Sequence, residues 1–283
     1  MNYLFLFNLS TAALHLIQAL LVRALVSSIP PNNAKTPFEG SSFDVFKTVI
    51  VFNKTNSHRI SFESRTDGSF DVVNLIMWFF LMSALFQSAA ASLNWRWLRF
   101  VEYSLSAAVM LVCIALEAGV RDVYTLRCMA VLMWTTQLLG LMAEAACSLS
   151  LRLRDSTLEW RWVLPHATAW VTCIAAYAPA LDAFLENQDK APDFVKWIVY
   201  LELLLFMSFG AVQLYGLTRK TLLDSVFVYV EAHAHNCAQV LEGADAEALE
   251  RIDVACEYAY TTLSLVAKTL LGWIVISPLL AAA

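Results

Sequence analysis

The chain has 283 residues, of which 59% are hydrophobic and only 15% are charged, and its mean hydropathy is +0.60. A soluble domain of this length carries more charge, so the composition predicts an integral membrane protein embedded in a lipid bilayer. The net charge of −5 without basic runs argues against a nucleic-acid partner, and six cysteines without CxxC spacing favour neither a disulfide framework nor a zinc site.

Seven apolar runs are long enough, at about 20 residues, to cross a bilayer as helices. Clusters of Arg, Asp, Pro and Asn separate them. The pattern predicts an all-α membrane protein, a seven-transmembrane-helix bundle that forms a single domain over residues 1–283. The predicted spans are Tyr3–Val26, Val72–Leu93, Leu98–Val120, Val123–Leu149, Arg161–Phe184, Phe194–Leu217 and Cys256–Leu280.

The first span follows Met1 without a basic region or a cleavage site, so we expect a retained helix rather than a signal peptide. In the short connections, Lys and Arg are more frequent on the side of the N-terminus, which predicts a cytoplasmic N-terminus and an extracellular C-terminus. The basic residues of the loop 30–70 would reverse that margin. We set this loop aside because it reads as a folded unit with a glycosylation sequon, Asn53–Lys54–Thr55, which suits a translocated loop.

The first span also contains a histidine, His15, with Gln18 three residues later. An ionisable residue at this depth is expensive and is often functional. Two interpretations remain open: His15 belongs to a polar site that exchanges protons, or it makes an ordinary hydrogen-bonded contact between helices.

The loop 30–70 alternates between polar and apolar residues over Phe43–Phe52 and again over His58–Ser64. Asn53–Ser57 can turn the chain between these runs, and Asp67–Gly68 is typical of a second turn. The alternation predicts a small β-hairpin that caps the extracellular face between helices 1 and 2. A disordered loop is the less favoured alternative because the alternating run is too apolar to stay solvated.

The third and sixth spans contain acidic residues at depth. Glu102 lies about 10 Å inside the third span if that helix begins near Trp95. It either meets a buried cation or extends back to the interface, where Arg99 lies three residues earlier. Glu202 lies in the middle of the sixth span and should face the bundle interior or water. Glu117 and Glu144 lie near span ends, so we expect them to be solvated.

The segment 218–251 forms a long cytoplasmic connection before the last span. Its apolar run Val226–Val230 is followed by Glu- and Ala-rich sequence, which favours a helical extension or an interfacial amphipathic helix. His233 and His235 are two residues apart, and this spacing places them on different helix faces. We therefore predict no metal site.

The last span carries a lone lysine, Lys268, in an apolar run with no other charge. A lysine at the bilayer centre costs a few kcal/mol, so it requires a partner or a chemical use. Condensation of its amine with an aldehyde to form a Schiff base supplies such a use. Together with the other spans, this lysine indicates a retinal-binding protein that absorbs light.

Glu102 and Lys268 are expected to meet because the third and seventh spans run in the same direction. The Lys268 backbone lies about 18 Å along its span, and a helical lysine leans back by roughly 6 Å. Glu102 would then hold a proton on the nitrogen as its counterion. Ser264, one turn before Lys268, either hydrogen-bonds near the amine or bonds back to its own helix. Four aromatic residues could clamp a polyene or serve only for packing: Trp134, Trp170, Phe206 and Trp273.

Two segments carry a resemblance to a known family. Glu257–Trp273 (EYAYTTLSLVAKTLLGW) looks like the seventh helix of heliorhodopsins, and Phe100–Ala115 (FVEYSLSAAVMLVCIA) is similar to their third helix. Further similar stretches occur in order along the chain. They are His15–Gln18 (HLIQ), Ser83–Phe86 (SALF), Gly140 with Glu144, and Ser208–Gln213 (SFGAVQ).

The resemblance implies all-trans retinal bound to Lys268, Glu102 as counterion, and Ser264 beside the nitrogen. It also implies a cytoplasmic N-terminus and a homodimer. We count Tyr103, Ser106 and Met110 of the third span among the chromophore contacts, with Trp170, Phe206 and Trp273 from the other spans.

The sequence departs from the family pattern at two positions. Gln87 stands where the family has a histidine after SALF, in a cluster thought to receive the proton, and glutamine cannot accept one. Glu202 stands where the family has an apolar residue. These changes favour a light-gated proton or cation conductance, with a slow light sensor that transports nothing as the alternative.

Two other functions are disfavoured. A Schiff-base enzyme without retinal would need a polar substrate site, which the spans do not offer, so we expect no enzyme. A conventional proton pump places a second carboxylate about three turns after the counterion, and that position is Cys113.

Overall fold

The computed structural model describes residues 3–28, 42–52, 60–93, 97–153, 160–233 and 238–281. Within these ranges it contains seven helices that are long and apolar enough to cross a membrane, which confirms the predicted seven-helix bundle. The helices are α1 (Tyr3–Ser28), α2 (Val72–Leu93), α3 (Leu98–Ala118), α4 (Val123–Leu153), α5 (Val163–Asn187), α6 (Asp193–His233) and α7 (Ala238–Ala281).

The last two helices are longer than the predicted spans. The α6 helix continues to His233, and α7 begins at Ala238, so most of the segment 218–251 is helical. An ion pair between Lys220 of α6 and Asp253 of α7 joins the two extensions. Residue His235 of the histidine pair considered above lies outside the described residues.

Consecutive helices pack side by side, and α1 also packs against α7, which closes the bundle. The α3 helix lies at the centre of the bundle. In its most apolar stretch 67% of the residues are buried inside the protein, against 28% in α1 and in α6. Large apolar side chains such as Leu85 and Leu164 are exposed on the outer helices. In a bilayer these side chains face lipid, whereas the backbone polar groups are satisfied within each helix.

Gly119 ends α3 with φ +108°, a left-handed conformation that glycine adopts without a Cβ clash. The Arg121 guanidinium then donates to the Leu116 carbonyl at the same helix end. This compact turn brings α4 back alongside α3 and presents Arg121 to the hairpin.

The predicted hairpin is present as β1 (Ser42–Phe52) and β2 (Ile60–Asp71), an antiparallel pair. It docks on the turn between α3 and α4, where the Phe46 amide donates to the Arg121 carbonyl at 2.9 Å. The Arg121 guanidinium lies 4.1 Å from the centroid of the Phe43 ring. We refer to this end of the bundle as the hairpin side. The turn Asn53–Ser57 and the sequon lie outside the described residues.

The second turn predicted at Asp67–Gly68 is wrong. Strand β2 continues through both residues, and the register shifts between Val45 and Phe46, which pair with Gly68 and Thr66. Asp67 is the extra residue of a β-bulge, and the next residue, Gly68, has the positive φ of +138° that the bulge requires. Lys47 donates to the exposed Asp67 carboxylate at 2.5 Å, and this bond lowers the pKa of Asp67.

Candidate functional site

Three helices bring their polar side chains to Lys268, which is 2% exposed. Its Nζ donates to Glu102 Oε1 of α3 at 2.6 Å, to Ser264 Oγ of α7 at 2.9 Å, and to Ser83 Oγ of α2. An ammonium group has three donors, and these three bonds use all of them. The structure therefore brings together the predicted lysine, carboxylate and serine.

The sequence places these groups by simple helix geometry. The α3 and α7 helices start at the same end of the bundle, and Glu102 lies one turn after α3 begins at Leu98. Ser264 lies one turn before Lys268, so both face the same neighbours. The sequence alone did not assign Ser83 to the amine. A serine in an otherwise apolar stretch, MSALF, was the only signal for it.

The alternative in which Glu102 reaches the interface beside Arg99 is wrong. Glu102 is 2% exposed, and Arg99 has other partners. The Arg99 guanidinium pairs with Glu144 at 2.5 Å and with Glu257, and it also lies 4.4 Å from the centroid of the Tyr260 ring. Arg99 thus neutralises carboxylates of α4 and α7, which leaves the Glu102 charge to Lys268.

This cluster corrects the expectation that Glu144 is solvated, because the Glu144 side chain is only 23% exposed and is paired. Glu257 was not recognised as a partner from the sequence. It lies eleven residues before Lys268, about three helical turns, and so falls near the same face of α7. That periodicity was the available signal.

A cavity of about 350 Å³ opens directly beside the Lys268 amine. Five of the predicted contacts line this cavity, and Glu202 lines it as well. These five are Tyr103, Ser106, Met110, Phe206 and Ser264.

A second cavity of about 580 Å³ continues from the first, sharing Tyr103, Gln137, Phe206 and Phe209 with it. Trp170, another of the predicted chromophore contacts, lines its wall. Trp273 lines neither of these two cavities, so its predicted contact has no support here. Trp134 is 45% exposed on the outer face of α4, which makes the alternative of a clamping ring wrong for this residue.

The wall at Trp170 is fixed by a directed chain of hydrogen bonds. Trp170 Nε1 donates to His166 Nε2 at 2.9 Å, so His166 carries its proton on Nδ1 and donates to Gln213 Oε1 at 3.0 Å. Gln213 Nε2 then donates to the Gly140 carbonyl at 2.9 Å. The sequence alone did not point to His166; the signal available was the i, i+4 spacing of His166 to Trp170.

Gly210 of α6 allows the Trp170 indole to lie against the helix backbone. A Cβ at this position would meet Trp170 Cζ2 at 2.7 Å, so Gly210→Ala should displace the indole towards the cavity. We expect a lower yield of pigment and a shifted absorption maximum, measured by visible spectra after addition of retinal.

Gly216→Ala is the matched control for this substitution. It also lies on α6, and its Cβ would meet Cys256 Sγ at 2.9 Å, but it lines neither cavity. If both substitutions changed the spectrum equally, the effect would reflect general packing of α6 and not the cavity wall.

A separate polar group lies between α1 and α2. His15 is fully buried and Gln87 is 4% exposed, and within the described ranges none of their side-chain nitrogen and oxygen atoms has a hydrogen-bond partner. Gln18 donates to Thr269 Oγ1 at 2.8 Å. Buried polar atoms of this kind are usually satisfied by internal water, so both interpretations of His15 remain open.

Residues 4–222 match the family model described as Heliorhodopsin. The match includes Glu102, Ser83 and Glu202 and ends within α6, so Lys268 and Ser264 lie beyond it. No curated protein matches the chain. The geometry around Lys268 is therefore an observation independent of that match.

Proposed function

The chain belongs to the heliorhodopsin family of light-sensing membrane proteins, and we propose on that premise that it binds all-trans retinal through Lys268. We further propose that light drives a proton or cation conductance through the bundle. The observation that carries the proposal is the buried Lys268–Glu102 pair at the mouth of an apolar cavity. The alternative is a sensor with a slow photocycle and no ion transport.

The residues present fit a bound retinal. The amine of Lys268 lines the smaller cavity, which continues past Phe206 and Phe209 to Trp170 in the larger one. Such a long, mostly apolar space with a reactive amine at one end suits a polyene aldehyde. When bound, retinal supplies light absorption and photoisomerisation.

The protein groups around the nitrogen hold its proton. The Glu102 carboxylate, at 2.6 Å, stabilises a positive charge on the Lys268 nitrogen, and the hydroxyls of Ser83 and Ser264 orient it. The ring of Tyr103 lies with its centroid 5.3 Å from Nζ and adds a cation–π contact. Bulk solvent does not reach this pair, because Lys268 and Glu102 are both 2% exposed.

Glu202 supports the conductance over the pure sensor. A carboxyl group that is 1% exposed and faces the Lys268 cavity is expensive unless it takes part in proton exchange or meets internal water. Gln87 supports the same function because glutamine cannot retain a released proton. The opposing view is that Glu202 is neutral and functionally silent.

Two further proposals concern the assembly in the membrane. The distribution of Lys and Arg in the short connections favours a cytoplasmic N-terminus, with the hairpin and the C-terminus outside. The family resemblance favours a homodimer. Accessibility of an N-terminal tag in intact cells, and the mass of the detergent-solubilised protein, test these two points.

The conductance is tested by whole-cell recording under flash illumination, with and without added retinal. We expect a voltage-dependent photocurrent that reverses with the proton gradient and falls about 100-fold in Glu202→Gln, the lower end of what a proton-transfer group contributes. Glu186→Gln, at an exposed position of α5, is the matched control and should keep the current. No current in the unmodified protein, or an equal current in Glu202→Gln, would return the protein to the sensor function.

A further inference from the structure

Two buried polar groups face the Lys268 cavity without a protein partner. Ser106 Oγ and both carboxyl oxygens of Glu202 have no hydrogen-bond partner in the part of the chain that the structure describes. Each residue is 1% exposed, and both line the cavity of about 350 Å³ that also contains Lys268. Because buried polar groups are almost always hydrogen-bonded, a water molecule between them is the expected partner.

The surroundings of Glu202 favour its neutral form. The one cation in the cavity wall, Lys268, is already paired with Glu102. The other ionisable groups near Glu202 are the phenols of Tyr103 in the cavity wall and of Tyr177, which donates to the Val199 carbonyl at 2.6 Å. A buried carboxylate without a cation is very unfavourable, so Glu202 keeps its proton in the dark.

Ser106 and Glu202 lie on the hairpin side of Lys268, so a proton from Glu202 would reach the nitrogen from that side. Ser106 lies one turn after Glu102 on α3, about 6 Å nearer the hairpin side. The α6 helix begins at Asp193 on that side, and Glu202 follows nine residues later. Ser106 and Glu202 thus approach Lys268 from the hairpin side, whereas Glu102 lies one turn further from it.

We infer that Ser106 and Glu202 form a proton-donor site for the Lys268 nitrogen, with one water molecule between the serine hydroxyl and the carboxyl group. After the nitrogen has passed its proton to the Glu102 carboxylate, which lies 2.6 Å away, the O–H bond of Glu202 breaks and a proton passes through this water to form an N–H bond on Lys268. Glu202 remains as a carboxylate and regains its proton from the hairpin side, and Glu102 releases the proton that it accepted, so both carboxyl groups return to their starting states. The inference rests on the proposed attachment of retinal to Lys268 but not on ion conduction.

The dark state is tested by infrared spectroscopy of the protein with and without retinal. We expect a carbonyl band of a protonated carboxyl group that disappears in Glu202→Gln and shifts in Ser106→Ala. The matched control is Ser104→Ala, since Ser104 is equally buried on α3 but bonds to the Val101 carbonyl of its own helix at 2.8 Å. A Glu202 carboxylate in the dark, or equal shifts in the two serine variants, would overturn the site.

The donor role is tested by flash spectroscopy. Recovery of visible absorbance after a flash should slow by about 100-fold in Glu202→Gln, the lower end of what general acids contribute, while Glu117→Gln, on α3 outside the cavity, keeps the normal rate. Recovery at the normal rate in Glu202→Gln would overturn the role. Slow recovery in a protein that passes no current would refute the conductance and still support the donor site.

Discussion

Lys268→Ala should abolish the visible absorbance of protein reconstituted with retinal, and Lys268→Arg should do the same. Neither side chain offers an amine at the mouth of the cavity, where Nζ now contacts Glu102 and Ser264. The expected loss is complete because attachment has no substitute among the cavity residues, where Lys268 is the one lysine. The measurement is a visible spectrum before and after hydroxylamine.

Lys268→Ala also leaves Glu102 buried without its cation, which costs about 3–5 kcal/mol in comparable pairs. A double variant, Lys268→Ala with Glu102→Gln, removes both charges and separates misfolding from loss of attachment. Lys196→Ala, at an exposed position of α6, serves as the control and should form normal pigment. A hydroxylamine-sensitive visible pigment in the folded double variant would contradict the assignment of Lys268.

Glu102→Gln should shift the absorption maximum to the red or deprotonate the chromophore and remove the visible band. The carboxylate at 2.6 Å is the anion that stabilises positive charge on the Lys268 nitrogen, and the Ser83 and Ser264 hydroxyls are neutral. The spectrum is to be titrated with pH in both proteins. Glu144→Gln, which removes a partner of Arg99, is the control with a smaller expected effect.

An unchanged spectrum and an unchanged titration in Glu102→Gln would point to a different counterion. Glu202 is the candidate that the structure then offers, because it lines the same cavity. Glu202→Gln would in that case produce the red shift instead.

The membrane fold was predictable because it depends on length and hydrophobicity. Each span needs about 20 apolar residues, and the helix boundaries of α2 and α3 follow from the charged and polar clusters that flank them. The extensions of α6 and α7 were harder to bound, since their composition differs from that of a span. The bulge at Asp67 was mistaken for a turn because Asp–Gly is typical of both.

The Lys268–Glu102 pair was predictable because both charges lie in parallel spans at matching depth, where a partner is obligatory. The partners contributed by other helices were not. Ser83, and the chain from Trp170 through His166 to Gln213, depend on how α2, α5 and α6 rotate about their axes. Apolar sequences that are hydrophobic on all sides do not specify that rotation.

The neighbours of Glu202 also could not be predicted from the sequence, although its depth in the span could. Its depth marked it as exceptional, but only the packed bundle shows that it faces the cavity of Lys268 beside Ser106. Its position in the sequence shows that a carboxyl group lies at an energetically costly depth. The tertiary structure shows which residues surround it, and these neighbours suggest a use for its proton.

The most direct test of the account is to reduce the reconstituted protein with borohydride, digest it and locate the retinyl group by mass spectrometry. We expect one modified peptide, with the retinyl group on the nitrogen of Lys268 and no modification of exposed lysines such as Lys196. A retinyl group on another lysine, or no covalent adduct in protein that shows a visible band, would contradict it.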